Sequence, residues 1–276
     1  MTKTEKPILI SVAPNGARKT KADHPNIPLC TEDLVKTAVS CAEAGAGMMH
    51  FHIRDGACRH SLNPGHYRKT LTELEAAVGD QLLLQVTSEA AGRYSQPQQI
   101  DYMKQLAPHC LSCGLREFIR SEKDVDSASL FFNHLHQAGT LVQYILYSPA
   151  EVKWFVNLCN QGILPGKAHF LLFVFGSYAG STNTEVPSLD HYLLPLDNHP
   201  HRVSWMVCGF GQQEFHTAEA AAARGGHVRV GFENNIFRPD GRLTEDNSEQ
   251  VRFMMSLALK HGRNPRKKAY AETLHV

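Results

Sequence analysis

Two histidines one residue apart carry the first chemical signal, in the run His50-Phe51-His52-Ile53-Arg54-Asp55. In an extended chain, residues two apart share a face. Both imidazoles then point one way, and Phe51 and Ile53 point the other. Turned to an apolar layer, two imidazoles without partners are costly. Turned to a cavity, they form half of a metal site. Zinc takes nitrogen ligands at about 2.0–2.1 Å, and catalytic zinc commonly combines three protein ligands with a water. The third ligand is sought at the other end of the chain, in HVRVGFENN (227–235). There Glu233 follows an apolar run, and Arg229 lies four residues earlier, on the same face if the strand continues. Two His and one Glu form a catalytic zinc set, and such a metal polarises a carbonyl as a Lewis acid. On these residues alone a second reading stands, in which Arg229 and Glu233 are an ion pair plugging a barrel.

The elements that must position these residues alternate between two periodicities. Eight short apolar runs read as buried strands: 7–14, 48–55, 81–88, 110–115, 141–148, 169–175, 202–210 and 227–232. Segments of helical spacing follow them. TEDLVKTAVSCAEAGA opens on Thr31 as N-cap with an acidic first turn, and TEDNSEQVRFMMSLALKHG stops at a Gly. Strands each followed by a helix imply parallel pairing with right-handed crossovers. Eight such units predict an α/β fold, a (β/α)8 TIM barrel, forming one domain over 1–276 with a short tail from about 264. An open doubly wound sheet would want a Gly-rich phosphate loop after an early strand; SVAPNGARKT has one Gly and no such pattern. Gly225 and Gly226 precede a strand and suit a helix C-cap. The tail NPRKKAYAETLHV reads as a subunit-docking arm or a frayed end. In a barrel, chemistry sits at the C-terminal ends of the strands, which singles out the polar residues ending these runs: Asn15 to Arg18, His50 to Asp55, Thr87 to Glu89, Tyr147 and Ser148, and Arg229 to Asn235.

Five segments in order resemble the beta-keto acid cleavage enzyme family: SVAPNGARKTKADHPNIP, EAGAGMMHFHIRDG with SLNPGHYRKT behind it, QVTSEA, WMVCGFGQQEF and GGHVRVGFENN. The resemblance implies a zinc-dependent barrel, usually a homotetramer. The implied reaction is a retro-Claisen exchange in which a beta-keto acid and acetyl-CoA give acetoacetate and a new CoA thioester. It implies His50, His52 and Glu233 as metal ligands and Arg229 as the strand-eight group that helps place the keto acid. It puts Thr87 or Ser88 near the substrate as a small hydroxyl, and it supports Asn15, whose amide could reach a substrate oxygen.

Two positions depart from the family pattern. Many members have Glu-Asp where this chain has Glu233-Asn234, and that Asp is a general-base candidate; Asn cannot take a proton at neutral pH. Asp55 is the nearest substitute in sequence, either as a base or as an outer carboxylate steadying a ligand His or Arg54. An amine-binding member has Glu where this chain has Arg18. Arg pairs with carboxylates, so Arg18 predicts an anionic or polar substrate tail, or else it holds the loop or a subunit contact. Two rivals remain: a zinc-dependent barrel lyase or hydrolase that uses no acetyl-CoA, and a barrel that keeps its metal without catalysis.

Weaker signals have ordinary readings beside functional ones. Tyr147, Ser148 and Glu151 line a pocket or cap a helix. His24 reads as a loop or interface residue rather than a ligand, and His60 and His66 as surface residues at a helix start. Gly176 and Gly180 belong to a small-residue loop that could pass CoA phosphates. Trp154 and Trp205 read as packing residues. The seven scattered cysteines, with one CxxC at 110–113, read as reduced core thiols. With 42% hydrophobic and 20% charged residues the 276-residue chain is globular. Lys and Arg total 28 against 27 Asp and Glu, a net charge of +1 that argues against nucleic-acid binding by bulk charge. No apolar run reaches the roughly 18 residues of a membrane span. The apolar patch in MTKTEKPILISVAP is too short for a signal-peptide core, so a cytoplasmic protein is expected.

Overall fold

A computed structural model describes residues 6–177 and 188–275. Its eight barrel strands are β1 (Lys6–Val12), β2 (Met48–Phe51), β3 (Leu83–Thr87), β4 (Cys110–Gly114), β5 (Leu141–Leu146), β6 (Ala168–Phe175), β7 (Arg202–Gly209) and β8 (His227–Val230). Each pairs in parallel with the next, and β8 returns to β1 with Ser11 opposite Arg229, so the sheet closes. All eight predicted runs became strands because a closed parallel sheet is covered on both faces and its strands read as continuous apolar runs.

Side-chain alternation sorts each strand between two cores. Leu9, Met48, Leu83, Cys110, Phe170 and Met206 fill the lumen. Met49, Phe51, Val86 and Cys113 pack outward under the helices. Cys110 and Cys113 therefore lie on opposite faces of β4 and do not form a dithiol; all seven cysteines are free. The outer layer includes α1 (Thr31–Ala44), α2 (Pro64–Val78), α3 (Gln96–Leu106), α4 (Val125–Gln137), α5 (Pro149–Asn160), α6 (Leu189–Leu193), α7 (Gln213–Arg224) and α8 (Asn247–Lys260). No helix among the described residues is long and apolar enough to cross a membrane.

Several boundaries differ from expectation. Thr31 is the first helical residue rather than the N-cap, which is Cys30; the Thr31 hydroxyl bonds Thr70 Oγ1 on α2 at 3.0 Å instead. Gly225 caps α7 in the left-handed conformation, as its position predicted. The predicted second strand splits: β2 stops at Phe51, and Ile53–Arg54 leaves the barrel to pair antiparallel with His60–Ser61. The tail is not frayed. Arg263–Arg266 adds in parallel to β1, and the helix Lys268–Glu272 follows, burying Ala271 and Leu274 in the lumen cluster. That end is the N-terminal mouth of the barrel, so the tail closes the face opposite the strand C-termini.

Candidate active site

At the C-terminal mouth, three side-chain atoms converge. His50 Nε2 and His52 Nε2 are 3.0 Å apart, and Glu233 Oε2 lies 3.5 Å from the first and 3.6 Å from the second. All three residues are buried, and Glu233 Oε2 has no hydrogen-bond donor. A tetrahedral metal with bonds of about 2.0–2.1 Å to nitrogen and oxygen sets its ligand atoms about 3.3–3.4 Å apart. The observed edges of 3.0, 3.5 and 3.6 Å bracket that spacing. These residues fit a divalent metal.

Local structure explains why the donors face inward. Phe51 and Ile53 take the outer layer, Phe51 edge-on to Tyr67, and leave the opposite face to the imidazoles. Gln85 Oε1 on β3 accepts from His50 Nδ1 at 3.0 Å, so His50 presents Nε2 as a lone pair. His52 is fixed through a second imidazole. Its Nδ1 is 3.4 Å from His60 Nδ1, and His60 Nε2 donates to the Glu89 carbonyl at 2.8 Å. His60, expected at the surface, is buried, because the Ile53–Arg54/His60–Ser61 ladder folds it back over His52. His66 alone of that pair is part-exposed.

Glu233 does not sit on an extension of β8. The strand ends at Val230, and Gly231, at φ 130°, turns the chain there. A Cβ at Gly231 would stand 2.4 Å from the Ala13 carbonyl oxygen, so only glycine permits the turn. Glu233 N then bonds Ala13 O at 3.0 Å, and Lys19 Nζ holds the Phe232 and Glu233 carbonyls at 2.7 and 3.1 Å. Arg229 reaches Glu233 Oε1 at 3.4 Å and Asn234 Oδ1 at 3.3 Å. Burial pushes the Glu233 carboxyl up, but the fixed Arg229 charge leads the contacts that hold the group below the usual carboxylate range. Burial lowers His50 to about 4 and also holds His52 well below its usual value, which favours the neutral rings that ligate a metal.

An open cavity of about 870 Å³ spreads over this centre, lined among others by Arg18, Thr87, Glu89, Tyr147, Arg229 and Glu233. The structure thus brings together His50, His52, Glu233, Arg229, Thr87 and Arg18. Ser88 is turned away, its hydroxyl donating to the Ser112 carbonyl at 2.9 Å. Asn15 is buried beside the site with its amide committed to backbone: Nδ2 donates to Pro28 O at 2.9 Å and His52 O at 2.8 Å, and Oδ1 accepts from His52 N. Asp55 holds neither a ligand His nor Arg54. It accepts from the Ala57 and Arg59 amides, from Arg59 Nε and from Arg93, and the Arg59 amide leads the contacts that keep its carboxyl well below the usual range. Asn234 is buried, with Nδ2 unpartnered.

Glu89, a strand-end residue to which the sequence assigned no role, lines the cavity. Its Oε2 is 3.9 Å from His52 Nε2, and burial, with Glu233 and Glu117 adding, pushes its carboxyl up to about 8. Its position two residues beyond Thr87, at the end of β3, was the available signal. Tyr147 lines the cavity beneath the Arg116 guanidinium, 3.5 Å from its ring centre, whereas Ser148 caps α5 by accepting from the Glu151 amide. His24 is buried in its loop, its Nε2 bonding Thr244 O at 2.8 Å. Gly176 lines the cavity; Gly180 lies outside the described residues.

The family model described as beta-keto acid cleavage enzyme matches residues 7–274. The chain is 26% identical over 261 residues to a 3-keto-5-aminohexanoate cleavage enzyme of Fusobacterium nucleatum, covering 93% of each chain. It is 24% identical to a 3-oxoadipate:acetyl-CoA acetyltransferase of Cupriavidus necator, covering 93% of this chain and 90% of that one. Among solved structures, apo ObcA superposes with a TM-score of 0.70 at 15% identity; it covers 91% of this chain, which spans 65% of ObcA's own length. That likeness bears on the barrel fold alone.

Proposed function

This chain belongs to the beta-keto acid cleavage enzyme family, and from that premise we propose that it is a zinc-dependent acyltransferase exchanging a beta-keto acid with acetyl-CoA. The observation that carries the reading is the buried triangle of His50, His52 and Glu233, with Arg229 behind it, at the barrel's catalytic mouth. Bound there, zinc supplies a Lewis acid for a carbonyl oxygen and a counter-charge for the substrate carboxylate.

The carbon balance sets what the residues must do. A proton leaves the methylene between the keto and carboxylate groups, and that carbon bonds the acetyl carbon, displacing CoA thiolate. The thiolate takes the original acyl group as the old C–C bond breaks, and the proton returns to the carbon that now joins the acetyl group to the carboxylate, giving the four-carbon acetoacetate. Arg229 holds a fixed positive charge beside the reacting carboxylate and carbonyl. The Thr87 hydroxyl lines the cavity and orients a substrate oxygen. Asn234 cannot hold the travelling proton. We assign that task to Glu89, the carboxylate at the end of β3 that faces the same cavity. Asp55, bound on all sides to Arg59, Arg93 and turn amides, steadies the ladder carrying His60 instead. Arg18 at the rim suits a carboxylated or polar tail, as in the 3-oxoadipate of the Cupriavidus relative's name. Homotetrameric assembly is carried over from the family resemblance, and light scattering on the purified chain measures it; a cytoplasmic location is kept as the expectation drawn from the sequence.

The test is a panel of beta-keto acids assayed for acetoacetate with and without acetyl-CoA. Acetoacetate that requires acetyl-CoA supports the exchange. Cleavage without acetyl-CoA supports a lyase or hydrolase. Retained metal with no turnover of any substrate supports a binding protein.

A further inference from the structure

A second cluster of ligating side chains lies at the opposite mouth of the barrel. Cys159 near the end of α5, His169 at the start of β6, and His199 and His201 just before β7 gather their donor atoms within 4.8 Å of one another. His169 Nε2 is 3.7 Å from Cys159 Sγ and 3.1 Å from His201 Nδ1. Tetrahedral coordination with bonds of about 2.3 Å to sulfur and 2.0–2.1 Å to nitrogen gives sulfur–nitrogen edges of about 3.6 Å and nitrogen–nitrogen edges of about 3.3 Å. The observed separations lie close to both.

A plain packing role leaves one feature unexplained. Both ring nitrogens of His199 are buried and have no hydrogen-bond partner, a cost that native interiors avoid. Its ring stands 4.9 Å from that of His201 and 6.1 Å from that of His169, with Phe155 against it. Three imidazoles and a thiol thus face each other with no carboxylate among the donors. A cleft lined by His136, Thr140 and His169 borders the group from the surface.

We propose that Cys159, His169, His199 and His201 form a structural zinc site that clips α5, β6 and the segment leading into β7 together. One sulfur and three nitrogens are a donor set zinc accepts, and four protein ligands close the shell, as structural sites do. Binding displaces the thiol proton to solvent. The site lies at the N-terminal ends of the strands, where a barrel keeps stability rather than chemistry. The proposal is independent of the catalytic reading.

The full-length protein is stripped of metal, reloaded with Zn2+ or Co2+, and analysed for metal per chain. Two equivalents are expected in the wild type and one in either His50→Ala or Cys159→Ser. Only the second site holds a sulfur, so the cobalt protein should show a thiolate-to-cobalt charge-transfer band. The band should persist in His50→Ala and vanish in Cys159→Ser. His199→Ala and His201→Ala should each lower the metal count by one and lower Tm, with circular dichroism reporting whether the barrel is kept. If His199→Ala fails to fold, the band in Cys159→Ser decides. A wild type without that band, a band surviving Cys159→Ser, or cobalt and zinc both rejected in favour of copper would overturn the proposal.

Discussion

Asn15 holds His52 by both of its backbone groups, its Nδ2 donating to the His52 carbonyl at 2.8 Å and its Oδ1 accepting from the His52 amide at 3.1 Å. β2 has already ended at Phe51, so no ladder bond fixes this residue, and the side chain from the end of β1 replaces one. The amide expected to reach substrate therefore reaches a ligand's backbone. Asn15→Ala should lower metal affinity or turnover about 10–100-fold, the range seen when outer-shell partners are removed. Asn15→Asp, which keeps only the acceptor, should fall between. Metal titration beside steady-state kinetics checks this. Full metal affinity with a raised KM for the keto acid alone would return Asn15 to substrate binding.

In the proposed exchange Glu89 carries the proton that Asn234 cannot hold. Removing a positioned acid or base typically costs about 10²–10⁴-fold in rate. Glu89→Gln should lower kcat by that order while metal content and folding stay as in the wild type. Asn234→Asp places a carboxylate beside Arg229, which already contacts Asn234 Oδ1 at 3.3 Å. In the Glu89→Gln background it should recover part of the lost kcat. A Glu89→Gln enzyme with unchanged kcat would remove Glu89 from the proton's path.

What the sequence made legible was whatever depends on one strand. The alternation in His50-Phe51-His52 places two imidazoles on one face by local geometry alone, and eight apolar runs announce a sheet buried on both sides. What depends on a turn or a long-range fold stayed hidden. Glu233 reaches the site because Gly231 turns the chain, not because β8 continues. His60 reads as a surface residue because nothing local announces the ladder that folds it onto His52. Asp55 lies three residues from a ligand yet faces the arginines. The tail looks like an arm because its register against β1 is invisible without β1. The Cys159–His201 group comes from three separate segments, and only the parallel pairing of β6 with β7 and the packing of α5 beside them assemble it.

The acid sensitivity of the fold has a definite sign at His227. This ring is buried, and its Nδ1 accepts from the Leu9 amide at 3.1 Å. Burial, then the Arg263 charge, lowers it from 6.5 to about 3. The folded chain keeps the ring neutral where the unfolded chain takes up a proton. Its contribution is complete above pH 6.5 and is lost as pH falls from 6.5 toward 3, by on the order of 1.4 kcal/mol per pH unit. His227→Gln should be less stable at pH 7.5, and its deficit against the wild type should shrink as pH falls below 6.5. Urea midpoints at several pH values measure the difference, and a pH-independent deficit would contradict the assignment.

Arg18 offers a charge test of substrate choice. It is exposed, lines the cavity, and directly precedes Lys19, which holds the Glu233 carbonyl. A fixed guanidinium attracts a tail carboxylate and repels an ammonium, and discrimination of this kind appears in kcat/KM. Wild-type enzyme should therefore turn over a carboxylated beta-keto acid faster than an amino-bearing one of equal length. Arg18→Glu should invert that preference, each arm moving by roughly tenfold, the factor set by about 1.4 kcal/mol of changed interaction. Lys19 and the metal ligands are untouched, so metal content should not change. The decisive quantity is the ratio of kcat/KM for the two tails in each protein. A ratio that already favours the amino tail in the wild type, or that stays constant in Arg18→Glu, would show that the guanidinium serves its loop or a subunit contact and that tail selection lies elsewhere on the cavity wall, where Glu117 and Arg116 also stand.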